Sequence, residues 1–181
     1  MTDRDDSMTD IRYQWIPARS DREVPFELTD RAIPQVTQLP QRPAIYRWVF
    51  LKNGTPTKTY IGETENLITR IRGYLNPGPS QETNKRINAE FKMALASGLT
   101  VRLEVLQIKP IRINRVIISN ENLSDQYVRK MMENFVLADV DVVYCELLNA
   151  ALNPIERRKR KAMRTSNPYV DILRKSQPSV D

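Results

Sequence analysis

The chain has 181 residues, with 28 Lys and Arg against 22 Asp and Glu, one cysteine and no histidine. This length suits one domain with extensions, or at most two small domains. Without histidine there can be no Ser-His or Cys-His nucleophile pair and no imidazole metal ligand. The single cysteine, Cys145, has apolar neighbours and is predicted to be a core thiol. Any catalysis would therefore use Tyr, Lys, Arg, Asp, Glu or a metal ion bound by oxygen.

The charge is unevenly distributed along the chain. Residues 1–30 carry a net charge of −4, so residues 31–181 carry +10. A basic body favours polyanionic partners because each neutralised phosphate releases counterions, although many basic proteins bind no nucleic acid. No apolar run approaches the roughly 20 residues that span a bilayer, and the acidic start does not resemble a signal peptide. We therefore expect a cytoplasmic protein with no membrane contact.

Strands are predicted to follow an irregular N-terminal arm, residues 1–40. Residues 44–51 are aromatic and β-branched, and residues 58–62 follow an Asn-Gly turn, which together are typical of a hairpin. Residues 99–108 alternate apolar and charged side chains and predict a third strand. Residues 109–122 are predicted to be a mostly polar loop.

Helical spacing follows the hairpin and returns after the third strand. Asn66 is a suitable N-cap for the first helix, and a second helix from about Asn84 is predicted to end near Gly98. Ser124 could cap a third helix that runs to about Asp139. Residues 141–152 are predicted to be helical, with a strand as the alternative. The order predicts an α/β (α+β) domain over residues 41–155, in which helices flank a small three-stranded antiparallel sheet, followed by a basic tail at 156–181.

Two tyrosines and an arginine form the first candidate site. Tyr46 and Tyr60 lie on neighbouring strands of the predicted hairpin, and Arg70 shares a helix face with Tyr74, four residues later. A guanidinium suits bidentate binding of phosphate, and phenolic hydroxyls can exchange protons with a reacting oxygen. From composition alone, structural tyrosines beside a surface arginine are the more common arrangement.

The residues around this site resemble a known family. Residues 43–46 read Pro-Ala-Ile-Tyr, and residues 60–74 read YIGETENLITRIRGY. This pattern resembles the GIY-YIG nuclease superfamily over residues 43–108, and more weakly to about residue 155. Ala44 stands where the family usually has glycine, a change that adds one methyl group and is tolerable where φ is negative.

The resemblance implies a metal-dependent hydrolase that cuts DNA. It implies that Tyr46 helps to activate or orient the attacking water, that Tyr60 lies near the scissile phosphate, and that Arg70 holds that phosphate. Tyr74 occupies the position that the family fills with His or Tyr. Lys58, two residues before Tyr60, faces the same side of the strand and could assist, or it could be a solvated edge lysine.

The family also requires one glutamate as the protein ligand of a divalent cation, Mg²⁺ or Mn²⁺. A single carboxylate ligand suits a cation that keeps most of its water ligands. Glu133 lies in a segment that resembles the family's third helix, with Asn149 as the later family asparagine, but it could instead pair with Arg129 one turn earlier. Glu146 lies in an apolar run, where a carboxylate is costly unless it is paired or metal-bound. Glu133 is our first choice and Glu146 our second.

Further basic side chains are predicted to contact the phosphate backbone, a contact that positions a duplex without reading its sequence. The densest cluster is in the tail, where a solvated charge run is the alternative. The predicted DNA-binding residues are Arg72, Lys85, Arg86, Arg157, Arg158, Lys159, Arg160 and Lys161.

The sequence thus predicts a Mg²⁺-dependent endodeoxyribonuclease of restriction or phage type. A homodimer would be needed to cut both strands of a palindrome at once. The alternative is a catalytically silent DNA-binding or structure-recognising module with the same fold. The two hypotheses differ in whether a carboxylate approaches the face formed by Tyr46, Tyr60 and Arg70.

Overall fold

A computed structural model of the chain describes residues 12–19, 23–113, 116–140 and 146–149. The chain divides into two units, Met1–Glu146 and Leu147–Asp181. The basic cluster at 157–161, Cys145 and most of the predicted helix at 141–152 lie outside the described residues. Within the described ranges, no helix is long and apolar enough to cross a membrane.

The strands differ in number from the prediction. The described residues form β1 (Tyr13–Pro17), β2 (Glu27–Leu28), β3 (Ala44–Lys52), β4 (Thr55–Thr64), β5 (Thr100–Ile108), β6 (Ile111–Ile113), β7 (Val116–Ile118) and β8 (Glu146–Leu147). Six of these make one sheet in the order β1-β5-β3-β4-β8, with β2 also paired to β5. The pairings among β1 to β5 are antiparallel, but the sheet as a whole is mixed. The prediction of three antiparallel strands is therefore wrong, although the chain is α/β as expected.

The additional strands come from segments that were not predicted to be strands in the first place. β1 and β2 belong to the arm that we predicted to be irregular, and both pair with β5. β6 and β7 pair antiparallel with each other inside the predicted loop, and Glu146–Leu147 is a strand, which was the alternative to the helix predicted there. Such short strands are selected by the edge they pair with more than by their own propensity, which explains why periodicity did not reveal them.

Three helices complete the described structure: α1 (Leu67–Leu75), α2 (Glu82–Ala96) and α3 (Gln126–Asp139). The prediction of the Asn66 cap is confirmed, since its side chain accepts a hydrogen bond from the Thr69 backbone N–H. The predicted Ser124 cap is wrong. Asp125 caps α3 by accepting from two backbone N–H groups, while the Ser124 hydroxyl donates to the Glu121 carbonyl.

Helices lie on both faces of the sheet. Trp48 of β3 is fully buried, and Phe91 of α2 packs on it with ring centroids 4.7 Å apart. Alternate residues of a strand face opposite sides, so Glu63 faces away from Gly62 and Tyr60. Glu63 pairs with Arg129 of α3. α2 and α3 therefore cover opposite faces, and the end of β4 lies between α1 and α3.

Candidate functional site

Strand register brings the two predicted tyrosines together. Tyr46 is opposite Gly62, and Trp48 is opposite Tyr60, so Tyr46 and Tyr60 are diagonal neighbours on one face. A Cβ atom at Gly62 would lie 2.5 Å from the Tyr46 hydroxyl oxygen. Glycine at position 62 is thus required by the close approach of the Tyr46 ring, rather than by a turn.

The hydroxyl groups of three tyrosines form a hydrogen-bonded chain. The Tyr46 and Tyr74 oxygens are 2.7 Å apart, and Tyr74 donates to Tyr60 over 3.2 Å. Each hydroxyl has a single proton. Because Tyr74 donates its only proton to Tyr60, Tyr46 is the donor in its hydrogen bond with Tyr74. The Tyr60 proton is not used within this chain of hydroxyl groups.

Burial keeps the inner members of this chain protonated. Tyr46 and Tyr74 have no exposed surface, and burial, which disfavours the phenolate, is the main cause that raises the pKa of each above its ordinary value. The Tyr46 side chain is therefore fully buried, whereas a residue that touches the attacking water is expected to reach the surface of the site. Its described polar contacts are with Tyr74 and Arg70.

Arg70 is held from two sides and leaves its terminal nitrogens available. Its Nε donates to the Tyr46 hydroxyl over 3.0 Å, and its Cζ lies 4.7 Å from the centre of the Tyr74 ring. Among the described residues, none accepts a hydrogen bond from the two terminal nitrogens. The guanidinium fork is thus oriented by tyrosines, with its two outer nitrogens available for an anion.

Helix α3 brings carboxylate and ammonium groups to the same place. The predicted alternative, in which Arg129 pairs with Glu133, is not observed. Arg129 is buried, pairs with Glu63 at 2.8 Å, and donates to the carbonyls of Leu123 and Ser124. Glu133 is left with Lys130, whose Nζ lies 3.4 Å from its Oε2.

The two glutamates have opposite electrostatic environments. Burial raises the pKa of Glu133, and the nearby positive charges of Lys130 and Arg70 offset this only in part. Burial also acts on Glu63, but the hydrogen bonds and charges of Lys130 and Arg129 outweigh it and lower the pKa of Glu63. Glu133 is thus the carboxylate whose charge is incompletely compensated, and such groups are common at functional sites.

These groups line one open cleft of about 370 Å³. Tyr60, Arg70 and Glu133 all reach it, whereas Tyr46 and Tyr74 lie behind it. The ionisable lining residues are three acids and three bases, so their formal charges cancel. The cleft is lined by Tyr60, Gly62, Glu63, Thr64, Glu65, Arg70, Arg129, Lys130 and Glu133.

Other predicted site residues are placed elsewhere. Lys58 is not part of the cleft lining; its Nζ lies 3.2 Å from Glu90 and 3.6 Å from Glu146, and these carboxylates outweigh burial to raise its pKa. Glu146 is exposed and is not part of the cleft lining either. Asn149 belongs to the second unit and stays a prediction.

The predicted DNA-binding residues are only partly described. Arg72 and Lys85 are exposed, and Arg86 is half-buried. Lys85 forms an ion pair with Glu82 on its own helix at 2.9 Å. Arg157, Arg158, Lys159, Arg160 and Lys161 lie outside the described residues, so their role stays a prediction.

Sequence reasoning missed Glu63 and Lys130. Glu63 directly follows Tyr-Ile-Gly, and its side chain lies on the opposite face of the strand from Tyr60. Lys130 precedes Glu133 by about one helical turn. Three residues along a helix place two side chains next to each other, and that spacing could have identified Lys130 as the partner of Glu133.

The described residues contain no group of three or more His, Cys, Asp or Glu side chains placed to hold a metal ion. In comparisons with protein-family models, curated proteins and solved structures, nothing matches this chain.

Proposed function

We propose that this protein is a divalent-metal-dependent DNA endonuclease of GIY-YIG type that hydrolyses phosphodiester bonds in the cleft. The observation that carries the proposal is the meeting of Tyr60, Arg70 and Glu133 at one open cleft. Tyr60 of β4 and Arg70 of α1 are close in sequence, but Glu133 comes from α3, and nothing in the local sequence requires it to meet them. An anion-binding fork, a hydroxyl donor and an incompletely compensated carboxylate are the side chains that phosphoryl-transfer chemistry uses.

The donor set fits one hard divalent cation. Mg²⁺ and Mn²⁺ prefer oxygen ligands, and Mg²⁺ often keeps several waters while binding one or two carboxylates. Glu133 would be the protein ligand, with Glu63 close enough to influence it electrostatically. A bound cation of this kind would neutralise charge on the phosphate and lower the pKa of a bound water.

Each protein group has a separate task in this proposal. The outer nitrogens of Arg70 would donate to non-bridging phosphate oxygens and stabilise charge that develops during in-line attack. The Tyr60 hydroxyl accepts from Tyr74, so its own proton can be donated to an oxygen in the cleft. Tyr46 and Tyr74 would hold Arg70 and Tyr60 in place. Tyr46 is thus a positioning residue here, not the group that activates water.

A catalytically silent DNA-binding module remains the alternative function. It predicts binding without cleavage in the presence of Mg²⁺ or Mn²⁺. The position of Glu133 at the cleft favours the nuclease, because a module that only binds backbone phosphate gains nothing from an incompletely compensated carboxylate beside Arg70.

The decisive test is cleavage of supercoiled plasmid DNA with and without Mg²⁺ or Mn²⁺. Arg70→Ala and Glu133→Gln should each lower the cleavage rate by at least about 100-fold. Measured without a divalent cation, the DNA affinity of Glu133→Gln should be no weaker than that of the native chain, because the substitution removes a negative charge without removing a basic contact. Glu146→Gln is the matched control and should cleave normally.

Three results would contradict parts of this proposal. Loss of cleavage in Glu146→Gln but not in Glu133→Gln would assign the cation to Glu146. Full activity of Arg70→Ala would show that the phosphate is not bound by Arg70 in the cleft. If the native chain binds DNA but does not cut it with either cation, the silent module is the correct function.

Several finer features belong to the same proposal. DNA is the proposed substrate and partner, with the exposed Arg72 and Lys85 and the tail cluster as backbone contacts. Restriction or phage origin, a homodimer and a cytoplasmic location stay predictions.

A further inference from the structure

Lys130 forms a bridge between two carboxylates at the cleft. Its Nζ lies 2.8 Å from Oε1 of Glu63 and 3.4 Å from Oε2 of Glu133. The side chain of Lys130 is 51% exposed, whereas those of Glu63 and Glu133 are 14% and 17% exposed. A half-exposed ammonium therefore balances two carboxylates that are mostly shielded from water.

This bridge solves an electrostatic problem. Two carboxylates that share a poorly solvated region repel each other, and the charge of Glu63 acts on Glu133. Arg129 already takes Oε2 of Glu63 and is held by backbone carbonyls on its other side. Lys130 is consequently the cation that can leave without disturbing the buried contacts of α3.

We propose that the Lys130 ammonium is a built-in competitor for the cation site, which a divalent cation must displace from Glu133 in order to bind. The inference rests on the proposed function, because it takes Glu133 as the cation ligand. Displacement is feasible because the lysine chain is flexible and half-exposed, so its ammonium can move into water at low cost. Once displaced, Lys130 remains in the cleft that contains Arg70 and adds a positive charge for a phosphate.

The structure thus predicts that removing Lys130 tightens cation binding. Exposed ion pairs typically contribute a few tenths of a kcal/mol each, so loss of the two pairs should raise the affinity for the cation by about threefold to tenfold, which corresponds to about 0.7–1.4 kcal/mol for both pairs together. A substitution that keeps the positive charge at position 130 should still compete with the cation for Glu133. Removal of Lys130 should therefore raise the affinity for the cation, whereas removal of a residue that helps to bind the cation would lower it.

The experiment measures Mn²⁺ binding to the full-length protein by calorimetric titration, without DNA and without any cleavage readout. Lys130→Met removes the charge and keeps the length of the chain, while Lys130→Arg keeps the charge. Glu133→Gln removes the proposed ligand. Lys52→Met is the matched control, since Lys52 is an exposed lysine at the far end of β3.

Lys130→Met should bind Mn²⁺ about threefold to tenfold more tightly than the native chain, and Lys130→Arg and Lys52→Met should bind it with native affinity. If Lys130→Met binds Mn²⁺ equally or more weakly while Glu133→Gln loses binding, the competition is refuted and the proposed cation ligand survives. If Glu133→Gln binds Mn²⁺ as the native chain does, the ligand assignment and the proposed function fail instead.

Discussion

Replacing Tyr46 with Phe tests whether the buried tyrosine acts through Arg70. The substitution removes a hydroxyl that accepts from Arg70 Nε at 3.0 Å and contacts the Tyr74 hydroxyl at 2.7 Å. A hydrogen bond to a charged group is worth roughly 1.5–3 kcal/mol and a neutral one roughly 0.5–1.5 kcal/mol. We therefore expect a loss of about 2–4 kcal/mol in the free energy of unfolding, measured by urea denaturation.

Tyr46→Phe should also slow cleavage, because the Arg70 guanidinium loses its hydrogen bond to the Tyr46 hydroxyl. Arg70 would keep its stacking on Tyr74 but lose the bond that sets its direction, and such a displacement costs up to about 100-fold in rate. Because Tyr46 does not line the cleft, the dissociation constant for DNA should change little. The rate is measured in single-turnover plasmid cleavage, with excess protein and in conditions where the variant is folded.

A double-mutant cycle distinguishes this indirect role from a direct one. In Arg70→Lys the ammonium cannot reproduce the guanidinium fork, so adding Tyr46→Phe should slow cleavage no further. If the two losses multiply, Tyr46 acts on the substrate independently of Arg70 and the reasoning is refuted. Tyr127→Phe is the control, since Tyr127 is 86% exposed and should behave as the native chain does.

Two further substitutions test the packing and the electrostatics of the same site. Gly62→Ala should destabilise the fold by about 1–3 kcal/mol and slow cleavage, because its Cβ would lie 2.5 Å from the Tyr46 hydroxyl oxygen; an unchanged unfolding curve would show that the tyrosine chain does not need this approach. Without metal, Glu133→Gln should raise the melting temperature at neutral pH, because burial raises the pKa of Glu133 and its ionised form opposes folding. This gain over the native chain should disappear below the ordinary glutamate pKa of 4.5, where both side chains are neutral, and a gain that instead grows on acidification would contradict the sign of the shift.

The sequence predicted the tyrosine–arginine arrangement because its geometry is local. Tyr46 and Tyr60 are joined by one hairpin, and Arg70 and Tyr74 follow in the helix whose start Asn66 fixes. Strand register and helix period determine these positions with few alternatives. Spacing could therefore place Tyr46 with Tyr60 and Arg70 with Tyr74, whereas the meeting of the two pairs was implied by the family resemblance.

The acidic side of the cleft could not be predicted in the same way. Glu133 is 63 residues after Arg70 along the chain, and its position depends on how α3 packs against β4. Where α3 meets β4, Arg129 pairs with Glu63, and these two residues have no recognisable spacing in the sequence. The same limit applies to β1 and β2, whose partner β5 lies more than 70 residues later. Long-range pairing, and not local propensity, decided each of these features.

In the proposed function, the balance of charge in the cleft makes the binding of a cation and of a phosphodiester depend on each other. Three acidic and three basic lining residues give no net attraction for an anion, even though residues 31–181 are basic as a whole. A divalent cation at Glu133 would give the cleft a net positive charge and would free Lys130 to face the phosphate. Since coupling between two ligands is reciprocal, DNA in the cleft must strengthen cation binding by the same factor. The acidic residues would then make the cleft selective for the metal-loaded state, so that phosphate is held most tightly when the cation required for its hydrolysis is present.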